Sequence, residues 1–292
     1  QNKMETVKLN NGIEMPILGY GVYLVEPEEC ERCVLDAISA GYRLIDTAQA
    51  YYNEEGAGNA IAKCGVPRDE LFITTKMWIY TNPEDARTSI EQSLRKLRTD
   101  YIDLLLVHQP IGDYYGTYRI MEEAYKSGKV RAIGLSNFYP DRFVDLTENM
   151  EIKPAINQLR TNVFSQQWDA VKEISPYGTH LMAWAPLAQS SDDLLSNDTL
   201  KDLASAHGKT VMQVALRYLL QRGIIAIPKT THRNRMEENL QVFDFALSDT
   251  EMEAIKPLDK EPDFRFSHRN PELIRFLLEY DKNNNPINKE SR

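Results

Sequence analysis

The chain has 292 residues, 42% of them hydrophobic and 26% charged, with a formal net charge of −9. That balance is ordinary for a globular protein and argues against a nucleic-acid or anionic-membrane surface. Three cysteines give no disulfide framework, no apolar run approaches the roughly 18 residues that span a bilayer, and the start shows no signal-peptide pattern, so a reducing, cytoplasmic setting is expected.

In chain order, the first signal is VKLNNGIEM, read as a hairpin with a two-residue turn at Asn11-Gly12, placed to cover the bottom of a larger fold. Eight apolar strand-like runs follow, at about 17–23, 42–47, 71–76, 101–108, 130–136, 155–159, 180–185 and 224–229. Segments of helical periodicity separate them. The clearest is 83–98: Asn82 caps it, Pro83 opens it, Glu84 and Asp85 fall in the first turn, and Ala86, Ile90, Leu94 and Leu97 make one stripe. A second runs over 210–222, with Thr210 as cap and Gly223 as stop. Strands alternating with helices of this length form βαβ units and a parallel sheet, and eight units close an α/β (TIM) barrel. From Pro257 onward the strand pattern stops, and the rest reads as a tail whose first part folds over the barrel mouth. One domain over 1–292 is expected.

Seven of the eight runs end on residues able to bind or react: Asp46, Lys76, His108, Ser136 with Asn137, Gln158, Trp184 and Lys229. The first ends on Tyr23, a weaker signal because an aromatic can simply pack. Barrel active sites are built at these carboxyl ends. Asp46, Tyr51, Lys76 and His108 are the expected catalytic set. A tyrosine is a weak acid, and a neighbouring ammonium lowers its pKa. Lys76 can play that part with Asp46 holding it charged, while His108 donates to a substrate oxygen. A proton donor beside an oxyanion site is what carbonyl reduction needs once hydride arrives.

Any one of these residues is more often a loop anchor than a catalyst; their conjunction on separate strand ends carries the reading. Hydride needs a cofactor, yet the G-x-G-x-x-G fingerprint is absent, Gly19-Tyr20-Gly21 being only its beginning. Trp184 can stack on a nicotinamide, and Ser136, Asn137 and Gln158 can hold its carboxamide. Lys229, Thr230 and Arg235 offer a phosphate grip near a helix start, and Glu238 and Asn239 can read an adenine edge. Cys30 and Cys33 have metal-like spacing but lack a second pair, so no metal is expected.

Three strings match a known family: GYRLIDTAQAYYNEEGAG (41–58), MEEAYKSGKVRAIGLSNF (121–138) and IPKTTHRNRMEENLQVFDF (227–245). From about Val7 to Phe264 the chain resembles the aldo-keto reductases, and AWAPLAQ and its short loops look like the bacterial branch that includes the 2,5-diketogluconate reductases. The resemblance implies a (β/α)8 barrel binding extended NADPH without a Rossmann domain. It implies Tyr51 as general acid tuned by Lys76 and Asp46, His108 as orienter of the carbonyl, and the residues from Ser136 to Asn239 named above as cofactor contacts. It places substrate-pocket residues at Tyr23 and Trp78 and in the tail, making Phe264, Phe266 and His268 loose candidates. Gln109 stands where many animal members have tryptophan, which implies a more polar rim. The expected partners are small carbonyl substrates, and a monomer is expected. Two other readings stand beside this one: an alcohol dehydrogenase working in the oxidative direction, and a nucleotide-binding barrel serving as a regulatory or structural subunit.

Overall fold

The structure, a computed structural model, describes residues 3–289; residues 1–2 and 290–292 of the expected domain lie outside the described residues. The N-terminal hairpin pairs β1 (Thr6–Lys8) with β2 (Glu14–Pro16). Its turn is one residue longer than the sequence suggests. Leu9 and Ile13 form the closing pair and Gly12 takes φ +89°, so Asn10, Asn11 and Gly12 form a three-residue loop. The side chains decide this. Asn10 Nδ2 donates to the carbonyls of Pro154 and Tyr177, and Asn11 Nδ2 to that of Arg131, which straps the hairpin across the amino ends of the later strands.

Eight parallel strands follow: β3 (Tyr20–Gly21), β4 (Leu44–Asp46), β5 (Phe72–Met77), β6 (Ile102–Val107), β7 (Val130–Ser136), β8 (Ile156–Arg160), β9 (His180–Trp184) and β10 (Ile225–Ala226). Each pairs with its sequence neighbours. The sheet closes into a barrel where Leu18 bridges Ala226, with Gly19 N donating to Ala226 O and Ala226 N to Ile17 O. All eight expected strands are present. The last is shorter than expected because Pro228 has no N–H to continue the ladder.

β5 and β6 are buried along their whole lengths, as strands flanked by side chains inside and helices outside must be. The helix Pro83–Lys96 carries the expected cap, Asn82 Oδ1 accepting from Asp85 N, and Val211–Gln221 opens with a full capping box between Thr210 and Gln213. Close helix packing needs glycine at 58: a Cβ there would stand 2.0 Å from the Lys96 carbonyl.

The tail departs from expectation. Its first part does pack on the mouth, with Asp259 accepting from Gln166 N and Lys260 N donating to Phe164 O. It then continues as a 14-residue helix, Pro271–Asn284, capped by Asn270. The tail contacts the loops after β8, β7, β6 and β5 in turn, through Asp259 to Gln166, His268 to Arg142 and Gln109, and Asp281 to Trp78. Among the described residues, no helix is long and apolar enough to cross a membrane.

Candidate active site

Lys76 is the hub. It lies on the penultimate residue of β5, wholly buried, and its Nζ donates to Asp46 Oδ1 at 2.6 Å, to Thr47 O at 3.0 Å and to Tyr51 Oη at 3.1 Å. Adjacent strands make this possible, because β4 ends at Asp46 alongside β5. Asp46 is held from its other side by Gln158 Nε2, 2.9 Å from Oδ2. Tyr51 ends a short 3-10 turn, Gln49–Tyr51, that brings its hydroxyl back over the barrel.

That turn is anchored by Gln49, a buried residue the sequence did not single out. Its Oε1 accepts from Trp78 N and Tyr80 Oη, and its Nε2 donates to Ser89 O and Ser93 Oγ. Asn53 fixes the neighbouring loop: Nδ2 donates to the carbonyls of Val22 and Val25, and Oδ1 accepts from Thr47 Oγ1. Both act by satisfying buried backbone groups, which no local pattern reveals.

The electrostatics correct one expectation. Burial pushes the Tyr51 phenol above its usual range, Lys76 pulls it down, and burial prevails. The tyrosine is thereby kept protonated, which a proton donor requires. Burial alone would push Lys76 down, but Asp46 more than offsets this and the ammonium is held charged. For Asp46, burial pushes the carboxyl up against the pull of Lys76 and Gln158. His108 is driven well below its usual range by burial first, then by Lys76 and His268, so it is a neutral imidazole. Its Nδ1 is buried with no partner among the described residues.

Rings line the space above these groups. Tyr23 packs on Tyr51 with centroids 5.2 Å apart, Tyr51 meets His108 edge-on at 5.6 Å, and His108 meets Trp78 at 5.1 Å. Tyr23 is 48% exposed, whereas Trp78 is buried because Tyr280 of the tail helix covers it at 6.2 Å. Gln109 is not a free rim group: its Oε1 accepts from His268 Nε2 at 2.8 Å. Phe264 and Phe266, at 60% and 62% exposure, face solvent and do not line the pocket, whereas His268 is buried against it.

The tail thus closes the β6 side through a histidine that burial pushes down to about 4 from the usual 6.5. The sign follows from linkage. Between about pH 6.5 and 4 the unfolded chain takes up this proton and the folded one does not, so stability falls as pH is lowered through that window, by an amount on the order of 3 kcal/mol for this group. His268→Gln, which can still donate to Gln109, is expected to make the decline in melting temperature over that window shallower. An unchanged slope would show that His268 takes its proton in the folded state.

The remaining candidates fall into two groups. The inner group continues the network: Ser136 Oγ donates to Gln158 O, Asn137 Nδ2 to His108 O, and Trp184 Nε1 to Asn137 Oδ1 at 3.1 Å, which pins the half-buried indole by its edge and leaves its faces free to stack. The backbone here is strained, with Asn137 at φ +65° and Ala185, Ala188, Gln189 and Ser190 all near φ +50° to +57°, as is typical where a binding surface over-determines the chain.

The outer group lies past β10, seated by Tyr20 Oη donating to Thr230 O and Tyr42 Oη to Met236 O. Thr230 Oγ1 accepts from His232 N, and the helix Arg233–Leu240 starts with no side-chain cap. Lys229 and Arg235 are exposed and make no ion pair among the described residues, Glu238 is half-buried and Asn239 buried. An uncapped helix start flanked by two unpaired cations fits a phosphate. Cys30 and Cys33 are buried free thiols, and the described residues hold no cluster of His, Cys, Asp or Glu that could bind a metal.

Comparison with known proteins bears on the family. The chain is 44% identical over 260 residues, 88% of its length and 94% of the relative's, to a glyoxal reductase of Bacillus subtilis. It is 37% identical to a morphine 6-dehydrogenase of Pseudomonas putida, covering 88% of this chain and 92% of that protein. An aldo-keto reductase of Bombyx mori, solved in complex with NADP, superposes with a TM-score of 0.84 at 34% identity, covering 92% and 99% of the two chains. Residues 18–260 match the profile of the Aldo/keto reductase family. With a closed eight-stranded barrel and a match over most of its length, the chain belongs to the aldo/keto reductase family, a family of oxidoreductases.

Proposed function

We propose that the protein, acting as one domain, is an NADPH-dependent reductase of small aldehydes and ketones, with Tyr51 as proton donor. One observation carries the reading: Lys76 Nζ lies within hydrogen-bonding distance of both Asp46 and the Tyr51 hydroxyl. A carbonyl oxygen seated between Tyr51 and His108 meets two neutral donors. As negative charge builds on that oxygen, Tyr51 gives up its proton and the fixed ammonium of Lys76 stabilises the phenolate left behind. Asp46 keeps that ammonium charged and aimed, and Gln158 keeps Asp46 in place.

The residues fit a nicotinamide dinucleotide, which when bound supplies the hydride. Trp184 offers a stacking face beside Ser136, Asn137 and Gln158. Lys229, Thr230 and Arg235 surround the uncapped helix start, where a 2′-phosphate is held, with Glu238 and Asn239 placed for the adenine. The Bombyx relative's complex with NADP supports the same choice. The intact Tyr51–Lys76–Asp46 network speaks against a purely structural barrel, since a buried ion pair is a weak source of stability. The reaction is reversible and the same groups serve alcohol oxidation, in which Tyr51 accepts the proton.

Removing Arg235 tests the cofactor half. Arg235→Ala is expected to weaken NADPH binding roughly ten- to a hundredfold, the scale of one charge-assisted contact, and to leave NADH nearly unaffected, as read by fluorescence titration. Equal weakening of both would move the phosphate elsewhere.

A further inference from the structure

The tail helix carries a carboxylate that the chemistry above does not use. Asp281 sits in the last turn of Pro271–Asn284, where the helix dipole disfavours an anion. Its Oδ1 accepts from two neutral donors, Trp78 Nε1 at 2.9 Å and Asn285 Nδ2 at 2.7 Å, and Asn285 Nδ2 also donates to Ile79 O. No Lys, Arg or His pairs with it among the described residues. The nearby cations are engaged elsewhere: Lys282 bonds Glu279, and Lys289 stands 4.3 Å over the Tyr52 ring. Asp281 is only half-buried, and its Oδ2 makes no hydrogen bond among the described residues.

Its position matters more than its exposure. The indole it holds meets His108 at 5.1 Å, so one ring separates an uncompensated negative charge from the acid–base groups. Burial first, and Asp281 only among the weaker neighbouring influences, raise the phenols of Tyr52 and Tyr80. The two hydrogen bonds that pin the helix need only an accepting oxygen, so the charge itself, unpaired and opposed to its own helix dipole, adds little to the fold. At the mouth of a pocket it repels anions and accepts from hydroxyls. It also lies beyond residue 260, where the family match ends.

We propose that Asp281 is a charge selector at the mouth of the site, admitting neutral carbonyls, hydroxyl-bearing ones among them, and excluding carboxylate-bearing ones such as 2-oxo acids. The proposal rests on the carbonyl-reductase reading.

The test compares kcat/KM for glycolaldehyde and glyoxylate, which match in size and differ in charge. Asp281→Asn retains both received hydrogen bonds, because an amide oxygen accepts as a carboxylate does, and so leaves the tail helix pinned. The variant is expected to raise kcat/KM for glyoxylate roughly tenfold, mainly through KM, the scale of one charge a few ångströms off in a partly screened site. Glycolaldehyde should change by less than about twofold. Wild-type turnover of glyoxylate should rise with ionic strength as the repulsion is screened, and this measurement needs no variant. A merely structural role would change both substrates alike. Turnover with an unchanged ratio and no salt effect overturns the selector alone. Absence of turnover of either substrate by the wild type with NADPH or NADH overturns the reductase reading and the selector with it.

Discussion

Tyr51→Phe is expected to lower the rate of carbonyl reduction by at least about a hundredfold, the usual scale for loss of general acid catalysis, while NADPH binding stays close to wild type. Among the described residues, the hydroxyl is the only group that touches Lys76 Nζ and also borders the ring-lined space above it. His108 cannot take over. It is neutral and far below its usual pKa, so giving up its remaining proton would leave an imidazolate. The substitution deletes one oxygen from a half-buried ring, so stability should change little. Turnover is measured with an aldehyde at saturating NADPH and binding by titration. Near-normal turnover in the variant would remove Tyr51 from the chemistry.

Lys76→Met should be the most destabilising single change in the site. It leaves Asp46, 1% exposed, as a charge whose one remaining partner among the described residues is the Gln158 amide. Breaking a buried pair by removing one partner costs about 3–5 kcal/mol. The double variant Asp46→Asn with Lys76→Met buries no charge and should regain part of that loss, because a neutral replacement of a buried pair is far less costly than an orphaned ion. Urea unfolding of the single and double variants measures both. Reduction should fail in each, since Tyr51 has then lost the ammonium that stabilises its phenolate. A double variant no more stable than Lys76→Met would mean that the pair is not ionised in the folded protein.

The barrel and its centre were legible because the barrel is built by repetition and its chemistry sits at one predictable place in each repeat. Asp46, Lys76 and His108 stand at or beside strand ends, and Tyr51 is a short turn from one of them. What the sequence hid depends on burial and long-range contact. The direction of the Tyr51 shift differs from the sequence expectation because the ammonium beside it can be read from spacing, whereas the desolvation that outweighs it cannot. Gln49 acts by satisfying backbone groups far away in the chain. Gln109 looked like a polar rim residue until His268, 159 positions later, took its oxygen. The tail helix is hard to read from the sequence although Asn270, Pro271 and Glu272 spell a helix start. The Asn, Pro and Lys residues around it read as turn-formers, and its apolar residues are only partly covered, with Phe276 65% exposed.

The most direct measurement follows the oxidation of NADPH by the wild-type protein in the presence of a small dicarbonyl, with the alcohol product counted against cofactor consumed. The account predicts sustained turnover with one alcohol formed for each NADPH oxidised. Tight binding of NADPH with no oxidation across aldehydes, ketoses and dicarbonyls would contradict it and leave a barrel that holds the cofactor without using it.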